Sequence, residues 1–365
     1  MATIRRIGVL TSGGDCAGLN AVIRAVVHRA RKAYGWKVLG IHDGTQGLMD
    51  RPHRYREMDL DTFVGFDVLR AGGTFLGTVN KGDPFAFPMP DGSVEDRSME
   101  FVDGFHSLDL DGLIVIGGDG SLRILKALCD KGGIGMVGVP KTIDNDVHQT
   151  EYAVGFTTGV NVATEALDRL QATAASHHRV MVLEVMGRDA GHIAMNAGIA
   201  GGADVILVPE IPYSLEGVAA RLREVQSEGR SHALVVVAEG VARPDGTPVT
   251  KSYSDSQTRY GGVGFYLADQ ISELTDTETR VTVLGHVQRG GMPAMRDRLL
   301  ASAFGVHAVD LVAEGKFGRM VAWQNRGVVD VPLEDVCIGP RPLDPEDTIV
   351  HAARGLGIYV GEPGS

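Results

Sequence analysis

The chain has 365 residues, which is too long for one ordinary domain and sufficient for two, because most domains contain roughly 100–200 residues. Its 46 acidic side chains outnumber its 35 lysines and arginines, and the net charge of −11 argues against a nucleic-acid-binding protein. No apolar run approaches the roughly 20 residues of a membrane-spanning helix. The 3 cysteines are far apart and indicate neither disulfides nor a zinc site. We therefore expect a cytoplasmic protein with no membrane or nucleic-acid partner.

Short β-branched runs alternate with amphipathic stretches along most of the chain. The predicted strands, which are almost continuously apolar, are residues 7–10, 38–41, 113–116, 136–139, 180–185, 205–208, 234–238 and 281–284. Such strands are typical of parallel sheets covered on both faces. Helical spacing lies between them, as in Leu122, Leu125 and Cys129. The pattern predicts an α/β fold of two closely packed lobes, each a mostly parallel sheet flanked by helices.

Two polar stretches rich in glycine and proline, residues 81–98 and 244–262, interrupt this pattern and are predicted to be surface insertions. Many of the 49 glycines instead follow the predicted strands. Glycine there lets backbone N–H groups approach a ligand closely. We therefore expect ligands at the carboxyl ends of the strands.

The first predicted strand is followed by a glycine-rich turn, residues 11–20 (TSGGDCAGLN), and by helical spacing from Ala21. Backbone N–H groups in such a turn and the positive end of the helix dipole both suit a phosphate group. No G-K-[ST] sequence follows, so the turn is not a Walker A loop. The same pattern also fits a tight turn between a strand and a helix that binds nothing.

A second glycine-rich turn contains an acidic residue. The predicted strand 113–116 is followed by Gly117 to Ser121 (GGDGS) and then by a helix. The carboxylate of Asp119 could hold Mg²⁺ while backbone N–H groups bind phosphate oxygens. The alternative is that Asp119 only caps the helix, although Ser121 is expected to supply that cap.

The third segment follows the predicted strand 136–139 and reads PKTIDND from Pro140 to Asp146. Two carboxylates two residues apart, flanked by Lys, Thr and Asn, exceed what a turn requires. One Asp could act as a general base on a hydroxyl group while Lys141 attracts phosphate charge. A turn stabilised by Asp and Asn side chains is the alternative.

Three further segments supply cations to this acidic chain. They contain Arg179 (SHHR), Arg188 (MGR), and Arg280 followed by His286 and Arg289 (GHVQRGG). Arginine binds phosphate through paired hydrogen bonds, and His286 with Arg289 is expected to clamp an anion. Any single arginine also fits a solvated surface position, but three such segments beside apolar strands favour an anion site. Glu239, which ends the strand 234–238, fits either sugar hydroxyls or a helix N-cap.

Together these motifs resemble the 6-phosphofructokinase family. In the family's order and approximate spacing, the chain carries GGD from Gly13, GGDGS from Gly117, PKTIDND from Pro140, MGR from Met186 and GHVQRGG from Gly285. The resemblance covers roughly residues 4–325 and implies transfer of a phosphoryl group to the C1 hydroxyl of fructose 6-phosphate. It implies a donor lobe of residues 1–155 plus about 288–340 and a fructose 6-phosphate lobe of residues 156–287. The lobe to which residues 341–365 belong is left unassigned.

On the donor side, the resemblance implies ATP as co-substrate and Mg²⁺ as the metal, with Asp119 as its ligand. The phosphate cradle of the family matches Gly14, Gly118, Asp119, Gly120 and Ser121. Lys81 stands where many ATP-dependent bacterial members carry an arginine and is expected to substitute for it.

Gly120 and Lys141 point to different donors in this family. ATP users tend to have glycine at both positions, whereas pyrophosphate users tend to have aspartate at the first and lysine at the second. We expect ATP, because glycine at 120 leaves room for the α-phosphate of a nucleotide while Lys141 need not exclude it. The alternatives are a pyrophosphate-dependent enzyme and a catalytically silent regulatory homologue.

On the acceptor side, Asp144 matches the base that takes the C1-hydroxyl proton, Thr142 lies beside it on the sugar, and Arg188 matches the residue that stabilises the transferring group. The other sugar-phosphate contacts of the family match Met186, Gly187, Glu239, His286 and Arg289. Arg179 and Arg280 match arginines that reach the 6-phosphate from a neighbouring subunit. The resemblance therefore implies a homo-oligomer, a dimer or a tetramer, with shared active sites.

Overall fold

The protein, seen here in a computed structural model that describes residues 4–65, 67–79, 82–252 and 258–362, alternates strands and helices. The strands are β1 Arg6–Ser12, β2 Lys37–Ile41, β3 Tyr55–Met58, β4 Phe87–Pro88, β5 Val94–Glu95, β6 Gly112–Gly117, β7 Met136–Thr142, β8 Val154–Gly155, β9 Val180–Val185, β10 Val205–Leu207, β11 Ala233–Ala238, β12 Thr250–Ser252, β13 Thr258–Tyr260, β14 Thr279–Val283, β15 Arg319–Gln324 and β16 Gly327–Pro332. The helices are α1 Leu19–Tyr34, α2 Gln46–Met49, α3 Ser98–Ser107, α4 Asp119–Gly132, α5 Phe156–His177, α6 His192–Ala200, α7 Leu215–Ser227, α8 Val263–Thr275, α9 Met295–Ala313, α10 Leu333–Val336 and α11 Thr348–Gly355. Short 3₁₀ turns span Leu60–Phe63 and Gly285–Arg289. Among the described residues, no helix is both long and apolar enough to cross a membrane.

The chain forms two compact units. Of the described residues, the first unit takes those up to Thr142, Val147–Thr157 and Arg289–Pro340. The second unit takes Ile143–Asp146, Thr158–Gln288 and the residues from Arg341 onward. The assignment of a donor lobe and a fructose 6-phosphate lobe stays a prediction.

The first unit is built on a mostly parallel sheet in the order β16-β15-β7-β6-β1-β2-β3, with β8 beside β7. The edge strands β3 and β16 run antiparallel to their neighbours, and the other pairs are parallel. Ser12 at the end of β1 pairs with Gly117 at the end of β6. The glycine-rich turns after these two strands therefore lie side by side at the carboxyl ends of the strands.

The second unit contains a smaller sheet in which all strands are parallel, in the order β10-β11-β9-β14. Its strand β9 carries a buried carboxylate, Glu184, that caps the neighbouring helix α8. The Glu184 carboxylate accepts hydrogen bonds from the N–H of Gly262 at 3.1 Å and from the N–H of Gly264 at 2.8 Å. A carboxylate is favourable there because the first N–H groups of a helix carry partial positive charge.

The predicted α/β fold with mostly parallel sheets is confirmed, and each predicted strand corresponds to an observed one. The sequence pattern missed the edge strands β3 and β16 and the strand β15. Edge strands are half exposed and lack the continuous apolar run that identified the others. The two stretches predicted as surface insertions each carry a short hairpin, β4–β5 and β12–β13, and their described side chains are largely exposed.

Within the second unit, the chain after Pro340 packs against the start of α6. His192, the first residue of α6, is buried, and its Nε2 lies 3.3 Å from the carbonyl oxygen of Arg341. Burial, followed by the charge of Arg341, lowers the pKa of His192 from 6.5 to about 4. His192 is therefore neutral at pH 7, because its charged form is poorly solvated there.

We expect His192 to make the protein less stable in acid. The unfolded chain binds a proton at His192 below pH 6.5, whereas the folded chain does so only near pH 4. Above pH 6.5 this site leaves the free energy of unfolding unchanged. Between pH 6.5 and 4 the free energy of unfolding falls progressively, by about 2 kcal/mol from pH 7 to pH 5. Urea unfolding at these two pH values should show a smaller change for His192→Gln than for the wild type. Equal changes in the two proteins would contradict this assignment.

Candidate active site

The turn after β1 is held closely by polar groups of the first unit. The Thr78 hydroxyl donates to the Gly13 carbonyl oxygen at 2.6 Å, and the Gly13 N–H donates to the Val79 carbonyl oxygen at 3.0 Å. Helix α1 begins at Leu19, two residues before the predicted Ala21. The Gly13 N–H is therefore already hydrogen-bonded within the protein. A phosphate at this turn would have to bind to other groups of the turn.

Two cations lie against the same turn. Lys141 Nζ donates to the Gly14 carbonyl oxygen at 2.5 Å, and Arg289 Nη1 donates to the Asp15 carbonyl oxygen at 3.0 Å. A Cβ atom on Gly14 would lie only 2.6 Å from Arg289 Nη1. A hydrogen bond to a neutral carbonyl orients a cation without cancelling its charge. The first unit thus brings Gly14, Lys141 and Arg289 together in an arrangement that suits an anion.

The second glycine-rich turn leads into the N-terminus of α4. Gly118 is the N-cap residue and Asp119 is the first helical residue, so neither Asp119 nor Ser121 caps this helix. The prediction that Ser121 supplies the cap is wrong, because the helix begins two residues before it. Ser121 Oγ instead lies 2.7 Å from where a Cβ atom on Gly13 would be. The two glycine-rich turns are therefore in contact.

Gly120, the second residue of α4, borders open space. A Cβ atom there would meet no described protein atom within 4 Å, whereas a Cβ atom on Gly118 would lie 3.3 Å from the Lys141 carbonyl oxygen. A larger side chain at position 120 therefore fits the protein itself. Any penalty for such a side chain would come from a bound ligand.

The described residues contain no group of three or more His, Cys, Asp or Glu side chains that could hold a metal ion. Mg²⁺ usually needs no such group, because it is bound by one or two carboxylates together with phosphate oxygens and water. Asp119 lies in the first turn of α4 beside the glycine backbone, in the position for a carboxylate of this kind. The donor set thus fits a metal that arrives with a phosphate ligand.

Lys141 and Thr142 lie on β7 and not in a loop after it. The strand continues three residues beyond the predicted end at Val139, because Lys141 pairs with Val154 and Thr142 pairs with Gly155 of β8. Successive side chains of a strand point to opposite faces of the sheet. Lys141 points to the Gly14 turn, so Thr142 points to the other face.

Residues 143–146 (IDND) belong to the second unit and are buried. Asp144 is 4% exposed and Asp146 is 8% exposed. Asn145 between them has a left-handed backbone with φ 54°, which is uncommon for a residue other than glycine. Carboxylates that only stabilise a turn normally stay in water, because burying a charge costs free energy. The burial of Asp144 favours a reactive carboxylate over a simple turn.

Arg188 lies in a short loop after β9 whose backbone is tightly constrained. Its φ is 53°, and its N–H donates to Glu239 Oε1 at 3.2 Å. A Cβ atom on Gly240 would lie 2.0 Å from the Arg188 carbonyl oxygen, so the loop after β11 requires glycine there. The N–H of Met186 donates to Oε1 of the buried Gln288 at 2.7 Å. A fixed backbone with an exposed guanidinium suits an arginine that contacts a ligand.

Glu239 supports this loop and does not cap a helix. The next described helix, α8, begins at Val263, so the N-cap interpretation of Glu239 is wrong. A second support comes from the hairpin β12–β13, where the Tyr260 hydroxyl donates to Asp189 Oδ1 at 2.6 Å. That hydrogen bond raises the pKa of Tyr260 to about 12, so the hydroxyl stays protonated and remains a donor. The predicted insertion 244–262 thus reaches the residue next to Arg188.

Arg179 and Arg280 lie at the amino ends of strands in the same sheet, opposite the carboxyl ends where Arg188 lies. Arg179 precedes β9 and Arg280 is the second residue of β14, whereas Arg188 follows the carboxyl end of β9. Both arginines are paired with Glu278, with 2.7 Å between Arg179 Nε and Glu278 Oε2. The hydrogen bond from Arg179 is the largest cause of the lowered pKa of Glu278. Within the second unit, Arg179 and Arg280 therefore lie apart from the loop of Arg188.

The remaining predicted residues are placed as follows. His286 is exposed on the 3₁₀ turn Gly285–Arg289 and belongs to the second unit, whereas Arg289 belongs to the first unit. Gly187, with φ 150°, forms the bend between Met186 and Arg188. Lys81 lies outside the described residues.

Sequence reasoning missed two residues that contact these loops. Glu278 stands only two positions before Arg280, and this proximity was the signal for their pairing. Arg341 binds residues 145 and 146 from the segment after Pro340, which carried no motif. Apolar residues of this segment such as Leu343 and Val350 were a sign that it packs against the protein, and both are buried.

Comparison with known proteins supports the resemblance. The family model named Phosphofructokinase matches residues 6–312. ATP-dependent 6-phosphofructokinase 1 of Nostoc sp. is 59% identical over 362 residues, covering 99% of this chain and 100% of that protein. ATP-dependent 6-phosphofructokinase 1 of Synechocystis sp. is 57% identical over 361 residues, covering 99% of this chain and 99% of that protein.

The solved structure of phosphofructokinase from Saccharomyces cerevisiae has a TM-score of 0.75 and 32% identity to this chain. The match covers 91% of this chain and 45% of the yeast chain, so this chain spans less than half of that larger protein. The prediction from the motifs is confirmed, and the chain belongs to the phosphofructokinase family.

Proposed function

We propose that this chain is an ATP-dependent 6-phosphofructokinase, which transfers the γ-phosphoryl group of ATP to the C1 hydroxyl of fructose 6-phosphate. The relatives named above, at 59% and 57% identity over nearly their full length, carry this activity in their names. The structural observation that carries the choice of donor is the open space at Gly120 on the first turn of α4. A pyrophosphate donor, which Lys141 would also suit, has less support.

The proposed chemistry needs one base and several groups that neutralise charge. Asp144 accepts the C1-hydroxyl proton, the C1 oxygen bonds to the γ-phosphorus, and the bond to the bridging oxygen breaks so that ADP leaves. Arg188 stabilises the negative charge of the transferring group, and Thr142 contacts the sugar. The other proposed contacts to the sugar phosphate are Met186, Gly187, Glu239, His286 and Arg289.

On the donor side, Gly14 and residues 118–121 bind the phosphates of ATP in this proposal, with Lys141 supplying positive charge. Asp119 would hold Mg²⁺ together with phosphate oxygens. When held there, the metal would neutralise part of the phosphate charge. Positioning and charge compensation carry most of the catalysis of phosphoryl transfer, so constrained loops of the kind described above suit the reaction.

We also propose that the enzyme is a homo-oligomer with shared active sites. Arg179 and Arg280 lie about the length of β9, roughly 20 Å at 3.3 Å per residue, from the loop of Arg188. Within one chain they are therefore too far from Arg188 to bind the same sugar phosphate. In this proposal a neighbouring copy supplies the pair of arginines to the 6-phosphate. Glu278 orients both guanidinium groups through its ion pairs with them.

The base is tested by Asp144→Ser in an assay of fructose 6-phosphate with ATP and, in parallel, with pyrophosphate. We expect the wild type to use ATP and the variant to lose at least ~10²-fold in kcat, the usual scale for a general base. Binding of fructose 6-phosphate should stay near normal. A variant with more than a tenth of the wild-type kcat would rule out this role, and a wild type that is inert with both donors would indicate a silent homologue.

The donor is tested at Gly120. Gly120→Asp should lower kcat/KM with ATP by at least ~10²-fold, because about 3 kcal/mol of steric and charge repulsion toward the α-phosphate corresponds to that factor. The matched control Gly120→Ala adds no charge and should keep activity within roughly tenfold. Both variants should unfold near the wild-type temperature, since a Cβ atom at this position meets no described protein atom within 4 Å. Unchanged ATP use by Gly120→Asp would contradict the proposed donor site.

The shared site is tested by mixing two impaired variants and assaying them at a low concentration of fructose 6-phosphate. Arg280→Ala should mainly raise KM for fructose 6-phosphate, because anchoring a phosphate is largely uniform binding. Subunit exchange between Arg280→Ala and Asp144→Ser should then restore some sites that carry both native residues. If demonstrated exchange brings no recovery of activity, the site is not shared.

A further inference from the structure

The segment that begins at Arg341 holds the loop that contains Asp144, and both belong to the second unit. The Arg341 N–H donates to the Asp146 carbonyl oxygen at 2.6 Å, and Arg341 Nη2 donates to the Asn145 carbonyl oxygen at 2.7 Å. One residue therefore binds the two consecutive peptide carbonyls that follow Asp144. These bonds matter because Asn145 has the left-handed φ of 54°, a conformation that most residues other than glycine rarely adopt.

The same segment is joined to the loop of Arg188 through a buried carboxylate. The Leu343 N–H donates to Glu210 Oε1 at 2.7 Å, and the Gly191 N–H donates to the same oxygen at 2.9 Å. Gly191 is the N-cap of α6 and stands three residues after Arg188. Burial raises the pKa of Glu210, while these two N–H groups favour its charged form. Glu210 thus connects the segment to the backbone of the Arg188 loop.

A third contact and a buried side chain fix the segment in place. The Arg341 carbonyl oxygen lies 3.3 Å from Nε2 of His192 at the start of α6. The side chain of Leu343 is 1% exposed, so the segment is anchored by apolar packing as well as by hydrogen bonds. Arg341 therefore contacts both the Asp144 loop and the start of α6, and Leu343 is joined to Gly191 through Glu210.

We propose that Arg341 is a positioning residue for the phosphoryl transfer, which sets the orientation of the Asp144 carboxylate relative to the Arg188 loop. Arg341 does not touch the substrate in this proposal. It acts through the peptide groups of residues 145 and 146, and the inference rests on the proposed function. A small misplacement of a reacting group costs on the order of 10²-fold in rate, so a residue that fixes the loop affects kcat more than binding.

The first test compares Arg341→Ala with the wild type in steady-state kinetics. Arg341→Ala keeps the backbone N–H bond to Asp146 and removes the guanidinium bond to Asn145. We expect kcat to fall by roughly 10- to 100-fold while KM for fructose 6-phosphate and for ATP changes less than about threefold. Equal kcat in the two proteins, or a loss that appears mainly in KM, would overturn the proposal.

The matched control is Arg223→Ala. Arg223 lies in the same unit, and its Nη2 donates to the Leu274 carbonyl oxygen at 2.7 Å, away from the loop of residues 143–146. This variant loses a bond of the same type and should keep the wild-type kcat. If Arg341→Ala does not fold, Arg341→Met preserves the aliphatic stem and should show the same loss of kcat without a change in KM. A methionine variant with wild-type kcat would equally overturn the proposal.

A double-mutant cycle distinguishes positioning from a general loss of stability. If Arg341 acts through Asp144, then Arg341→Ala should lower kcat by less than about twofold in the Asp144→Ser background. Additive losses in the double variant would show that Arg341 acts elsewhere. A wild type without phosphofructokinase activity would remove the proposed function itself, whereas an active wild type with an unaffected Arg341→Ala variant would remove only this inference.

Discussion

The parallel direction of the strands is the constraint on which the arrangement of functional side chains depends. In the first unit, β1 and β6 end side by side, and this brings the two glycine-rich turns into contact through Ser121 and Gly13. In the second unit, β9 and β11 end at one edge and bring Glu239 to the Arg188 loop. Because β9 and β14 are parallel, Arg179 and Arg280 lie at the amino ends of these strands, where both form ion pairs with Glu278. Strand direction alone thus separates the cations of the second unit into two groups.

The acceptors of the cations differ between these places. Lys141 and Arg289 donate to carbonyl oxygens at the Gly14 turn, whereas Arg179 and Arg280 are paired with a carboxylate. A neutral acceptor fixes the geometry of a cation and leaves its field available to an anion, while a carboxylate cancels much of that field. In a chain with a net charge of −11, such local arrangement leaves positive charge available to an anion at this turn. Overall charge therefore says little about the ligand of a particular turn.

Much of the fold was predictable because buried parallel strands leave a continuous apolar pattern. The glycine-rich turns were predictable as well, since the residues that form them are neighbours in the sequence. Three features were not predictable for a common reason. The extension of β7 depends on β8, the placement of Arg289 depends on the Asp15 carbonyl, and the role of Arg341 depends on residues 145 and 146. Each is decided by backbone groups of a distant segment, which no side-chain pattern reveals.

The contact between Arg341 and Asn145 spans 196 positions of the chain, and this separation has a consequence for biosynthesis. A nascent chain that has emerged only as far as Pro340 already contains the whole first unit and most of the second. It lacks the Arg341 donors that bind the carbonyl groups of residues 145 and 146, so these hydrogen bonds do not yet support the left-handed turn at Asn145. Such long-range contacts form late, because the closure of a long loop must precede them. The loop of Asp144 can therefore acquire this support only after residues as far as Arg341 have left the ribosome.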